Sequence, residues 1–182
     1  APVFYDFIKF AFAKATGKFK IQPETTPVRR ELERDEPFFD ELAETLEGSL
    51  QRSHRIIGDG VTKVELSRAR IPLLTFDHNS RDWVNTRAES PKIKTLHGNV
   101  TRFNSVSRNG RAFIRELDRI VPFRPDGDFP NARLGLLTWS LHGSNVDHQK
   151  QLTFAVREVK SARGQVKRLL LSDCHRSATE TE

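Results

Sequence analysis

The spacing of apolar residues changes character partway along the chain, from a helical period near the N-terminus to a strand period in the second half. In residues 2–16, Phe4, Phe7, Ile8, Ala11 and Ala15 fall on one stripe at the 3.6-residue period, with Phe10 and Phe12 off it. A helix apolar over so much of its surface needs partners on more than one side. Gly17 is its expected C-cap. Residues 18–27 hold Pro23 and Pro27 and are expected to be loop. A second helix is expected over residues 37–57, with Phe39, Leu42, Ala43, Leu46, Leu50 and Ile57 on one face. Asp35 or Glu36 can cap it and Pro37 suits its first turn. Its early acidic residues and late Arg52 and Arg55 complement the helix dipole.

After Gly58-Asp59-Gly60, residues 61–66 alternate apolar and polar as a half-buried strand does. Residues 71–76 form a second short run, which Pro72 assigns to an edge or a strand start. Asp77-His78-Asn79-Ser80 reads as a turn and Trp83-Val84-Asn85 as the start of a return strand, giving a small meander. Residues 88–92 read as a linker. Strands are then expected at 96–103, 111–116 and 119–123, a helix at 129–141, and strands at 152–159 and 166–171, with turns at 107–110 and 162–164.

That order predicts an α+β protein. N-terminal helices and a small β meander occupy residues 1–90. An OB-like five-stranded β-barrel follows over 91–176, with a helix between strands three and four, and then a flexible tail over 177–182.

Composition adds three constraints. No run approaches the roughly eighteen apolar residues of a membrane span, and Asp6, Lys9 and Lys14 interrupt the apolar N-terminus, so neither a span nor a signal peptide is expected. The single cysteine, Cys174, excludes an intrachain disulfide and fits a reducing, cytoplasmic setting. The formal charge is +6, with acidic residues concentrated between Glu31 and Glu47. Basic ones cluster at Arg102, Arg108, Arg111, Arg115 and Arg119 and again at Lys160, Arg163, Lys167 and Arg168. A basic soluble surface and a phosphate-binding face both account for this asymmetry.

Gly98-Asn99-Val100-Thr101-Arg102-Phe103-Asn104, then Gly110-Arg111-Ala112-Phe113-Ile114, then Val121-Pro122-Phe123, resembles the opening three strands of a cold-shock domain. The resemblance implies an OB barrel that binds single-stranded DNA or RNA by stacking bases on surface aromatics. The chain departs from that family where Asn109 and Arg111, rather than aromatics, flank Gly110. It departs again where Pro122 replaces a basic or imidazole side chain. Those departures shift the expected binding from rings to arginines such as Arg102, Arg111 and Arg119. For Phe103, Phe113 and Phe123 the barrel core is the competing assignment. Residues 38–174 also resemble the C-terminal portion of a family of uncharacterised bacterial proteins. That likeness is carried by Ser53-His54, Trp83-Val84-Asn85-Thr86, Val121-Pro122-Phe123, Leu137-Thr138-Trp139-Ser140 and Val166-Lys167-Arg168. It implies a longer protein, in which Ala1 is not the start and Phe4, Phe7 and Phe10 pack against a further domain.

Catalytic chemistry is not indicated. The histidines at 54, 78, 97, 142, 148 and 175 include no pair at zinc-site spacing. Cys174 and His175 are adjacent, so their side chains diverge on a strand. His54, on the helix that carries Leu50 and Ile57, reads as a boundary residue, His78 as part of a solvated turn, and the 31–47 acidic run as a solvated helix face. No catalytic residue, metal or cofactor is expected. The expected function is a non-catalytic module that contacts single-stranded DNA or RNA through Arg102, Arg111, Phe113, Arg119, Phe123, Lys167 and Arg168. The alternative is a protein-interaction or homo-oligomerisation module of a larger bacterial protein, working through the Phe-rich N-terminal helix. An enzyme is a third class, with no reaction to name.

Overall fold

The computed structural model describes residues 2–87, 92–146 and 150–177. Residues 88–91 of the expected linker, His148 and the tail from 178 lie outside the described residues. The fold is mixed α+β: among the described residues there are five α-helices, a small two-stranded sheet and a closed five-stranded barrel. Two units divide the chain, Ala1–Arg87 with Ser161–Gly164, and Ala88–Lys160 with Gln165–Glu182.

In the first unit, α1 (Pro2–Ala15) ends in a Schellman turn. Lys18 N–H reaches the Ala13 carbonyl at 2.8 Å and Gly17 N–H the Lys14 carbonyl at 3.2 Å. Gly17 has φ +76, and a Cβ there would lie 2.6 Å from Cγ of Trp83, so glycine is required twice over. Of the expected stripe the helix buries Ala11 and Ala15, adding Phe10 and Ala13 from off it, and Phe4 stays 61% exposed. Phe10 packs edge-on against the fully buried Phe39 of α3 (Glu36–Ser53), ring centroids 5.1 Å apart. Burying a ring of that kind contributes about 1.5–3 kcal/mol. Asp35 caps α3, accepting from Phe38 N–H.

Residues 18–34 differ from expectation, because α2 (Thr26–Arg34) begins inside the expected loop. Its N-terminus is fixed from outside. Asp6, buried on α1, accepts from Glu24 N–H (2.9 Å), Thr25 N–H (2.7 Å) and Thr25 Oγ1 (2.6 Å). The expected meander is also corrected. Strands β1 (Lys63–Arg68) and β2 (Ile71–Asp77) pair as a hairpin. The expected turn and return strand are instead α4 (His78–Val84). Asp77 and Ser80 form a capping box, so the residues that read as a turn start a helix. A two-residue strand, β3 (Thr86–Arg87), follows.

The second unit carries β4 (Lys94–Phe103), β5 (Gly110–Ile114), β6 (Arg119–Pro125), α5 (Leu134–Val146), β7 (Leu152–Ser161) and β8 (Val166–Arg176). The helix starts later than expected, after a 3₁₀ turn at Asn131–Arg133. Strand β4 pairs antiparallel with β5 and β7, β5 with β6, and β7 with β8, while β6 pairs parallel with β8. That cycle closes the barrel. Its interior is one cluster, including Val100, Ala112, Ile114, Val121, Phe123, Leu137, Phe154 and Leu169.

Two glycines permit the closure. A Cβ on Gly98 would sit 1.9 Å from the Phe113 carbonyl oxygen, and one on Gly110 2.4 Å from the Phe123 ring. Beyond Gly98, β4 runs past the end of its pairing with β7, and α5 takes over. Ser140 Oγ accepts Val100 N–H at 3.0 Å, and Ser144 Oγ donates to the Val100 carbonyl at 2.6 Å. Two serines one turn apart thus satisfy a strand edge that a strand no longer covers.

Candidate nucleic-acid interface on the barrel

Alternation decides which side chains leave the barrel. On β5, Gly110, Ala112 and Ile114 are buried, and Arg111 and Phe113 between them point outward and are half-buried. On β4, Leu96, Gly98 and Val100 point inward, so Arg102 would too if the strand were regular. A bulge between Val100 and Arg102 reverses the parity and pairs Arg102 with Arg111. Phe113 stands between Asn99 of β4 and Ile120 of β6, and Arg111 between Arg102 and Pro122. Arg102, Arg111 and Phe113 therefore share one outer face. Ile120, 45% exposed, and Arg124 belong to the same face. Neither was singled out in the sequence, because register rather than residue type places them there.

The other expected residues lie elsewhere. Phe123 is 2% exposed, inside the barrel, with Phe103 stacked near it at 6.2 Å, so its ring has no face for a base. Arg119 pairs with the inward Ile114, and its guanidinium donates to the Val166 carbonyl across to β8. Lys167 and Arg168 are half-buried on β8. Arg168 shares its outward side with Leu170, which is 2% exposed.

The loop between β4 and β5 is shaped by Asn104, whose Oδ1 accepts from Val106 N–H (2.9 Å) and Ser107 N–H (3.2 Å). It presents Val106, 92% exposed, and Arg108, exposed and held to Asn131 at 3.2 Å. At the far end of the face, Glu116 accepts both the backbone N–H of His97 (2.9 Å) and its Nδ1 (2.6 Å). Partial burial works to raise the Glu116 carboxyl, but these bonds outweigh it and hold its pKa below the ordinary value. Glu158, 3% exposed, sits between Lys94 (2.7 Å) and Lys160 (2.9 Å). Burial pushes its pKa up, and the two ammonium groups more than reverse that. That carboxylate neutralises part of the barrel's positive charge at a place separate from Arg102 and Arg111.

His54, Ser80 and Asp77 superficially suggest a hydrolytic triad. His54 is 1% exposed, a correction to its reading as a boundary residue. Its Nδ1 lies 2.7 Å from the Leu50 carbonyl, which can only accept, and its Nε2 2.9 Å from Ser80 Oγ. Ser80 is itself 1% exposed and committed to the capping box of α4. The arrangement locks α3 to α4, with neither residue open to a substrate. Cys174 is fully buried on β8, and burial pushes its thiol up to about 12, the reverse of an activated nucleophile. Among the described residues no three His, Cys, Asp or Glu side chains converge as metal ligands. No helix among them is long and apolar enough to cross a membrane. Comparison with family models, with curated proteins and with solved structures finds no significant match.

Proposed function

We propose that the barrel is of the OB type and binds single-stranded nucleic acid across the outer face of β4, β5 and β6. Support comes from the strand cycle, with its parallel pairing of β6 and β8 and a helix between the third and fourth strands. OB barrels use the face of their second and third strands, with the adjoining loops, to hold oligonucleotides. The observation that carries the reading is the cross-strand row Arg102–Arg111 beside the outward ring of Phe113. The arginines contact phosphates and Phe113 offers one stacking surface, extended by Ile120. One stacked base contributes about 1–3 kcal/mol, so affinity rests mainly on charge and falls with salt, by about 0.7 in log–log slope for each phosphate neutralised. Titration of labelled single-stranded oligonucleotides at two salt concentrations tests this. Binding that weakens with salt supports it. Absence of binding at low salt, or binding indifferent to salt, overturns it.

A second reading, an assembly module, is favoured by one specific observation. Val3, Phe4, Phe7, Pro27, Val28 and Glu31 line an open groove between α1 and α2, with Phe4 61% exposed. Light scattering over a range of concentrations discriminates: a monomer throughout removes homo-oligomerisation, and a dimer lost in Phe4→Ser supports it.

A further inference from the structure

The barrel unit holds a second aromatic–cation cluster, on α5 and the strand ends rather than on the outward residues of β4 to β6. Trp139 of α5 is half-buried. The guanidinium carbon of Arg176 lies over its ring, 4.6 Å from the centroid, and Lys150 Nζ lies 5.7 Å from the same centroid. Backbone contacts fix the chain at both residues. The Lys150 carbonyl accepts a 2.8 Å bond from the buried Ser140 hydroxyl, and Arg176 pairs with Leu152 where β8 meets β7. Gly143 makes room for Lys150 to cross the helix, since a Cβ there would lie 2.3 Å from Lys150 Cβ. Asp173, three residues before Arg176, is engaged by Arg133 at 3.4 Å.

We propose that Trp139, Lys150 and Arg176 form a nucleotide-binding site. The indole packs against the barrel core, and a nucleobase stacks on the exposed Arg176 guanidinium plane above it, as bases do on arginines. Its phosphate is taken by Lys150 and Arg176, whose mutual repulsion an anion between them relieves. Phosphate alone engages only the cations and a nucleoside only the stack, so the joint arrangement selects a ligand that carries both. That ligand is a free mononucleotide or a nucleotide within a single strand. The proposal is independent of the face on β4 to β6.

The test uses the full chain, isotope-labelled, with its two indole N–H signals assigned through Trp83→Phe. AMP, adenosine, inorganic phosphate and a short single-stranded oligoadenylate are titrated separately. AMP is expected to shift the Trp139 signal, leave that of Trp83 in place, and saturate at about millimolar concentration. Adenosine and phosphate are each expected to bind about tenfold more weakly, as is AMP to Arg176→Ala or Lys150→Ala. Tighter binding of the oligonucleotide than of AMP identifies a strand as the source, and the reverse a free nucleotide. The proposal is overturned if AMP leaves Trp139 unmoved at about ten times that concentration, if adenosine matches AMP, or if both folded variants bind AMP as the parent does. Should a variant lose its fold, the adenosine and phosphate titrations decide.

Discussion

The two units achieve order by different means. The barrel is ordered by shape: a single apolar interior, two glycines where backbones approach closely, and strands whose polar atoms are satisfied by pairing. The helical unit has two smaller apolar clusters, stitched by buried polar side chains. Asp6 organises the start of α2, Asp77 caps α4, and His54 joins α3 to α4. Shape tolerates little steric change and does not itself titrate; the barrel's depressed carboxylates, Glu116 and Glu158, lose their contribution only in acid. A polar stitch tolerates size changes better but depends on protonation. Trp83 lies in the first unit and Trp139 in the second, so single-tryptophan variants report each separately.

The largest effect is expected in the barrel. Gly98→Ala drives a methyl group into the Phe113 carbonyl, a backbone atom that cannot step aside. A loss of about 4 kcal/mol or more is expected, read as a lower urea midpoint by Trp139 fluorescence. A near-normal midpoint breaks the claim that close approach shapes the barrel. Next, His54→Leu leaves the Leu50 carbonyl and the Ser80 hydroxyl without their imidazole partner. That is expected to cost about 2–3 kcal/mol, reported by Trp83. An unchanged Trp83 transition contradicts the polar stitch.

A smaller effect comes from pH. Burial, the largest influence on His54, pushes its pKa below the ordinary 6.5, against a hydrogen bond to Leu50 that pulls it up. The unfolded state therefore binds the proton more readily. The stabilisation is complete above about pH 6.5 and is lost as the pH falls below that value toward the folded pKa. Asp6 and Asp77 are also depressed. Partial burial would raise both, but hydrogen bonds from the backbone, and Lys18 for Asp77, more than offset it. Their contribution is lost only as the pH falls below the ordinary carboxylate value, about 3.9. Between those limits the Trp83 transition should weaken in the parent and not in His54→Leu. Equal weakening in both assigns the pH dependence to another group.

The barrel was legible because its signals are local. Partial period-two alternation marked β7, the hairpin turn ending at Gly164 introduced β8, and glycines and turns separated β4, β5 and β6. The helical unit was less legible for two reasons. α2 is only nine residues long with few apolar side chains, Val28 buried and Leu32 packed beside it, and it depends on Asp6 from another helix. Asp77 to Ser80 combine types favoured both in turns and at helix N-termini, and the choice between them is made by His54 and Lys18, distant in sequence. The candidate face was half legible. Arg102, Arg111 and Phe113 were found by type and motif. The bulge that turns Arg102 outward and the parity that turns Phe123 inward are properties of register, which no single strand carries.

Photo-crosslinking of a single-stranded oligonucleotide, followed by mapping of the modified peptide, tests the central claim most directly. The account predicts modification at Phe113, lost at high salt and reduced in Arg111→Ala. Modification confined to α1, α2 or α3, or none at low salt, contradicts it.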